Sequence, residues 1–204
     1  MNAPFAALTE DQRDALQELM NVAMGQAADR LARLIDTLVI LSVPRILLAS
    51  ECGEDLKGCP FFHQPAAVVT RQSFLGALRG EVLVSFDQDG ADELASLLGY
   101  DEDVDPAGHD ELMLDVTNIL SSACIQGLAE QLALPASFGA PSILATQTTL
   151  AAAVGEDMNR EQTLVLEICF KVESHRFNCE LLICVASESI AVVVDAINRL
   201  LEDF

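Results

Sequence analysis

Apolar residues near the start of the chain recur at helical spacing. Leu16, Leu19, Met20, Ala23, Ala27 and Leu31 fall on one face of a 3.6-residue period. Thr9 with Gln12 supplies a capping box ahead of that stripe, and Glu10 and Asp11 suit the positive end of a helix dipole. The spacing predicts a helix from Thr9 to near Asp36. Aliphatic and β-branched runs then predict strands at 38–43, 45–49, 66–70 and 81–86, followed by a short helix at 90–98 that stops at Gly99. A loop of acid, Pro and Gly at 100–108 separates this from a second pass. That pass predicts a long helix at 109–132, strands at 142–152, 162–172 and 177–186, and a last helix opening at Ser187, with Ser189 as a rival cap. The last helix carries Ile190, Val193, Val194, Ile197 and Leu201. Helix, strands, helix therefore occurs twice, over about 9–99 and about 109–204. The predicted fold is a single α/β (α+β) domain of two repeats related by pseudo-twofold symmetry. Short connections such as 173–176 favour one mainly antiparallel sheet, with the two long helices on one face.

Composition narrows the function. With 51% hydrophobic residues and a mean hydropathy of +0.33, the chain reads as a packed globular protein, and with 5% aromatic residues and no Trp its core is expected to be built from Leu, Ile, Val and Ala. Lys and Arg number 11 against 32 Asp and Glu, a formal net charge of −21, and no Lys or Arg lies between Arg79 and Arg160. Such a surface repels nucleic acid and anionic lipid, because affinity for phosphate polymers comes mainly from neutralising cations. For most of these acids a solvated face is the better reading. The N-terminus has no basic segment leading into an apolar core, and the most apolar stretch, 34–49, is broken by Asp36, Pro44 and Arg45. No signal peptide and no membrane insertion are expected. Cys52, Cys59, Cys124, Cys169, Cys179 and Cys184 read as reduced thiols in a cytoplasmic protein, with Cys124, Cys169 and Cys184 as small core hydrophobes. Cys52, Cys59 and His63 lie close in sequence but lack a second pair to complete a tetrahedral site, so no metal is assigned. His63, His109 and His175 have no nucleophile at telling spacing and are given no chemistry.

On the first helix Asp14, Glu18 and Asn21 are spaced i, i+4, i+7, which places them in one stripe, and Pro44 follows 23 positions after Asn21. On the second long helix Glu111, Asp115 and Asn118 repeat the spacing, with Pro141 again 23 positions after the Asn and each residue 97 from its counterpart. One such stripe alone reads as a solvated helix face. Two stripes with matched prolines are hard to obtain by chance.

The pattern Asp/Ser-x3-Glu-x2-Asn, then 22 residues and a Pro, resembles the active-site signature of the CheC, CheX and FliY family of chemotaxis phosphatases. Asp14, Glu18, Asn21 and Pro44 fit it at every position, and the flanks at Gly25 and Ile40 fit too. The second copy departs twice, with Glu111 where Asp or Ser is usual and Asp115 where Glu is usual. Two copies resemble the CheC type. The resemblance implies a hydrolase that removes phosphate from the phospho-aspartate of a CheY-like response regulator. In that reading Asn21 and Asn118 orient the attacking water, much as a Gln does in GTP hydrolysis. Glu18, and Asp115 in the second copy, would pair with a Lys of the regulator. Asp14 and Glu111 would support the stripes, and Pro44 and Pro141 would set strand geometry. The chain would bring no cofactor of its own, the Mg2+ being held by the regulator. An adaptor that binds a phosphorylated regulator or a CheD-like deamidase with little turnover is the alternative. A purely structural member of a motor or receptor complex is a third, disfavoured by the polar stripes. Because Asp115 is one methylene shorter than Glu, the second site is expected to matter less.

Overall fold

The computed structural model describes residues 8–48, 65–99, 106–154, 164–173 and 175–202. The first helix, α1 (Glu10–Ile35), opens on the expected capping box. The Gln12 amide donates to the Thr9 hydroxyl at 3.2 Å and the Thr9 amide to the Gln12 side chain at 3.0 Å. It buries Leu16, Met20, Ala23, Met24, Ala27, Leu31 and Ile35, and it ends where Asp36 turns left-handed at φ 50. The strands β1 (Val39–Leu41), β2 (Arg45–Leu48), β3 (Pro65–Gly76) and β4 (Gly80–Phe86) follow, then α2 (Gln88–Leu97). The second half runs α3 (Pro106–Gln131), β5 (Ala136–Phe138), β6 (Ser142–Thr149), α4 (Leu150–Val154), β7 (Leu164–Val172), β8 (Asn178–Val185) and α5 (Ser187–Glu202).

The eight strands form one sheet in the order β1-β7-β8-β4-β3-β5, with β2 also on β7 and β6 also on β3; every pairing is antiparallel. Exchanging β1 with β5, β2 with β6, β3 with β7 and β4 with β8 returns the same order read backwards. The strand order is therefore symmetric about the join between β4 and β8, at the centre of the sheet.

Strand side chains alternate between two faces. One face carries Val82, Val84 and Phe86 from β4, Leu166, Ile168 and Phe170 from β7, and Leu181 and Ile183 from β8, all in one core cluster with the buried stripes of α1 and α3. The two long helices pack on each other, with α5 beside α1 and α2 beside α3. By length and composition α3 could cross a membrane, but 67% of its most apolar stretch is buried inside the protein, as for a core helix.

The structure moves several predicted boundaries. β3 continues past Thr70 to Gly76, because Thr70 and Gln72 are buried and hydrogen-bonded rather than solvated. The predicted strand at 142–152 ends at Thr149, whose hydroxyl accepts from the Ala152 amide at 3.2 Å and starts α4 over an alanine run. Asp87 caps α2, accepting from the Gly90 amide at 2.6 Å, so the helix starts ahead of Gly90. α3 starts at Pro106, a residue suited to a first helical position, rather than at 109. Ser189 lies inside α5, where its buried hydroxyl donates to the Ala77 carbonyl and accepts from the Arg79 amide. Strand β5 is not foreseen in the sequence.

Candidate functional site

The helix crossing sets the geometry of the motif. Gly127 of α3 lies against Ala23 of α1, so close that a Cβ added there would sit 3.0 Å from both carbons of Ala23. One turn along, the Gln131 side chain donates to the Leu19 carbonyl at 2.9 Å. Residue numbers thus fall on α1 as they rise on α3, and the helices are antiparallel. Asn21 faces the level of Ala129, eleven residues from Asn118, which puts the two asparagines roughly 16 Å apart along the helix axes at 1.5 Å per residue.

Asp14, Glu18 and Asn21 are all exposed, as are Glu111, Asp115 and Asn118. Among the described residues the side chains of Asp14, Glu18, Asn21, Glu111 and Asp115 make no hydrogen bond or ion pair with one another or with any neighbour. Each helix therefore carries two carboxylates and a carboxamide on its exposed face. Pro44 is buried and Pro141 half-buried; each immediately precedes a strand, β2 and β6 respectively.

The two stripes differ in what lies beneath them. The Asn118 side-chain oxygen accepts from the Gln72 amide nitrogen at 2.8 Å, and the same nitrogen donates to the Gly139 carbonyl at 3.0 Å. Gln72 is 1% exposed, and its own oxygen has no partner among the described residues. Alongside, the Thr117 and Thr70 hydroxyls meet at 2.6 Å, and Thr117 also donates to the Met113 carbonyl at 2.7 Å. For the first stripe, on α1, the counterparts differ. β1 pairs Leu41 with Phe170 and β5 pairs Phe138 with Phe74, so Ile168 is the counterpart of Gln72 and Leu166 that of Thr70. Both are buried and apolar. Gln72 escaped sequence reasoning. Its only signal is a polar residue between Thr70 and Phe74 at strand spacing.

Cys52, Cys59 and His63 lie outside the described residues. Among the described residues no group of three or more His, Cys, Asp or Glu is arranged to hold a metal ion. The His175 ring is engaged by the Glu173 carbonyl at 2.8 Å. Burial pushes the Cys124 and Cys184 thiols up to about 12 and the Cys179 thiol well above its ordinary value. Cys169 corrects the expectation of a core thiol: it is half-buried, on the sheet face away from α1 and α3, and its thiol donates to the Asn178 side chain at 3.0 Å.

The profile of the CheC-like family matches residues 12–48, the stretch holding Asp14, Glu18, Asn21 and Pro44. No curated protein matches this chain. Among solved structures, FliY of Thermotoga maritima superposes with a TM-score of 0.65 at 17% identity, covering 95% of this chain and 99% of that one. A chemotaxis protein CheX from Desulfovibrio desulfuricans gives 0.58 at 16% identity, covering 82% of this chain and 99% of its own. The CheX of a CheX–CheY–BeF3–Mg2+ complex from Borrelia burgdorferi gives 0.52 at 12%, covering 83% and 96%.

Proposed function

We propose that this chain, a protein of the CheC/CheX/FliY family, is a cytoplasmic phosphatase acting on the phospho-aspartate of a CheY-like response regulator. The observation that carries the reading is the exposed Glu18–Asn21 stripe, unengaged by any described residue, inside the segment that matches the family. The similarity in fold to a CheX solved with CheY and Mg2+ supports the partner class. We read the chain as one domain of two repeats, about 9–99 and about 109–204, each contributing one site.

In the reaction a water oxygen attacks phosphorus, the bond from phosphorus to the aspartyl oxygen breaks, and the products are the free carboxylate and inorganic phosphate. The regulator supplies Mg2+ and a Lys, so what is missing is a water held in line. A carboxamide suits this because it donates through nitrogen and accepts through oxygen. Glu18 and Asp115, with no cation among their described neighbours, are available to a lysine of the regulator across the interface. The chemistry is positioning: no nucleophile or metal of this chain is used.

The test is the decay of a phosphorylated CheY-like receiver in Mg2+, alone and with the wild type, Asn21→Ala, Asn118→Ala or the double variant. Asn21→Ala should lower turnover at its own site by on the order of 10²-fold, the scale of losing one positioning contact in an aligned attack. The double variant should return decay to the receiver's own rate. A double variant as active as wild type refutes the reading, and binding of the phosphorylated receiver without any acceleration points to an adaptor.

A further inference from the structure

We infer that Gln72 is a positioning residue for Asn118, so that the second site carries a pre-ordered amide and the first a freely turning one. This rests on the phosphatase reading for its consequence, though not for its geometry. Gln72 is 1% exposed in the middle of β3, a costly place for a carboxamide, and its oxygen is left without a partner among the described residues. Both of its donor hydrogens, by contrast, are used: one toward Gly139 and one toward Asn118. The orientation is fixed by chemistry, because the Gly139 carbonyl can only accept. The Gln72 nitrogen must therefore point that way, and the group facing it from Asn118 must be oxygen.

Asn118 is then held with its nitrogen turned outward and one lone pair of its oxygen still open. A water touching it meets a donor and an acceptor whose plane is already set. The neighbouring Thr70–Thr117 hydroxyl pair keeps β3 and α3 in register beneath the site. At the first site the register counterpart of Gln72 is Ile168 of β7, which has no hydrogen to offer, so Asn21 must be ordered when substrate arrives. Asp115 reaches less far than Glu18, which weakens docking, whereas the set amide favours the step after docking. The two sites should differ oppositely, the second with the higher KM and the smaller ordering cost in kcat.

Two measurements test this on the full chain. In 15N-labelled protein without any partner, the Asn118 side-chain amide should be more rigid than that of Asn21, and Gln72→Leu should loosen Asn118 to the level of Asn21. Gln72→Met serves as a second variant should the first fold poorly. Equal mobility of the two asparagines in the wild type, or an Asn118 indifferent to both substitutions, overturns the inference whatever the turnover. In an Asn21→Ala background, Gln72→Leu should lower kcat roughly fivefold, the scale of one hydrogen bond, with KM moving less. A loss of the same size in an Asn118→Ala background would mean general damage and overturns the assignment. If the rigidity contrast holds while Asn21→Ala, Asn118→Ala changes no turnover, the phosphatase reading fails and the Gln72 clamp stands.

Discussion

Gly25 and Gly127 permit the same substitution in two environments. Each lies within a 26-residue helix, α1 and α3 respectively. A Cβ on Gly25 meets nothing within 4 Å, whereas one on Gly127 would lie 3.0 Å from the Cα and Cβ of Ala23 and 2.9 Å from the Gln26 side-chain oxygen. Alanine in a helix interior is favoured over glycine by about 1 kcal/mol, and Gly25→Ala should gain most of that. At Gly127 the gain is opposed. Carbon atoms rest at about 3.5–4.0 Å, so the helices must part by roughly 0.5–1 Å, and overpacking of this kind costs about 1–3 kcal/mol. The Gln26 oxygen can swing aside, but the Ala23 backbone cannot. The net expectation is a loss of about 1 kcal/mol for Gly127→Ala against a gain of similar size for Gly25→Ala. For a domain of this length each kcal/mol moves Tm by about 2–4 °C, so the variants should separate in opposite directions in a circular-dichroism melt. A Gly127→Ala protein that melts as high as Gly25→Ala would mean that the helices do not cross at Ala23, and the estimated separation of the two asparagines would fall with it.

Glu180 gives a pH test. Burial, then the nearby Glu167 and Asp87, raise its carboxyl to about 7, with Lys171 opposing. A carboxyl raised in the folded state contributes stability that is complete below its ordinary value near 4.5 and lost as pH rises through about 7. The Tm of wild type relative to Glu180→Gln should therefore fall between about pH 5 and 8; a difference that stays flat refutes this. Peptide-resolved alkylation of the native protein should spare Cys124, Cys179 and Cys184, which are buried with thiols raised by burial, and modify Cys169 sooner. Labelling of Cys124 at the rate of Cys169 would contradict the packing of α3.

Sequence periodicity located α1 because its determinants are local: the Thr9–Gln12 cap, the buried stripe and the stop at Asp36 all lie within the helix or beside it. The motif was legible for the same reason, since i, i+4, i+7 on a helix fixes a face without knowledge of the rest of the chain. What sequence missed depends on partners far away. Arg71, Gln72 and Ser73 look like a strand's end, yet β3 runs on because Gln72 meets Asn118 and Gly139 and Arg71 pairs with Ser142 on β6. Strand β5 is three residues that exist only by pairing with Phe74, Leu75 and Gly76. Cys169 reads as core from the sequence because composition cannot say which sheet face a strand residue takes.

The interleaved strand order has a consequence for how the chain reaches its fold. Among the described residues β1 and β2 pair only with β7, more than a hundred residues later, while β4 waits for β8 to complete its second edge. The hairpins β3–β4 and β7–β8 can close locally, but the join at the centre of the sheet cannot form until nearly all of the chain is present. Folding with such non-local pairing is slow, and it leaves the edge of β4 open in the meantime. During synthesis the first half must emerge with its edge strands unpaired, so a product truncated after residue 99 would be an aggregation-prone fragment rather than half of the protein.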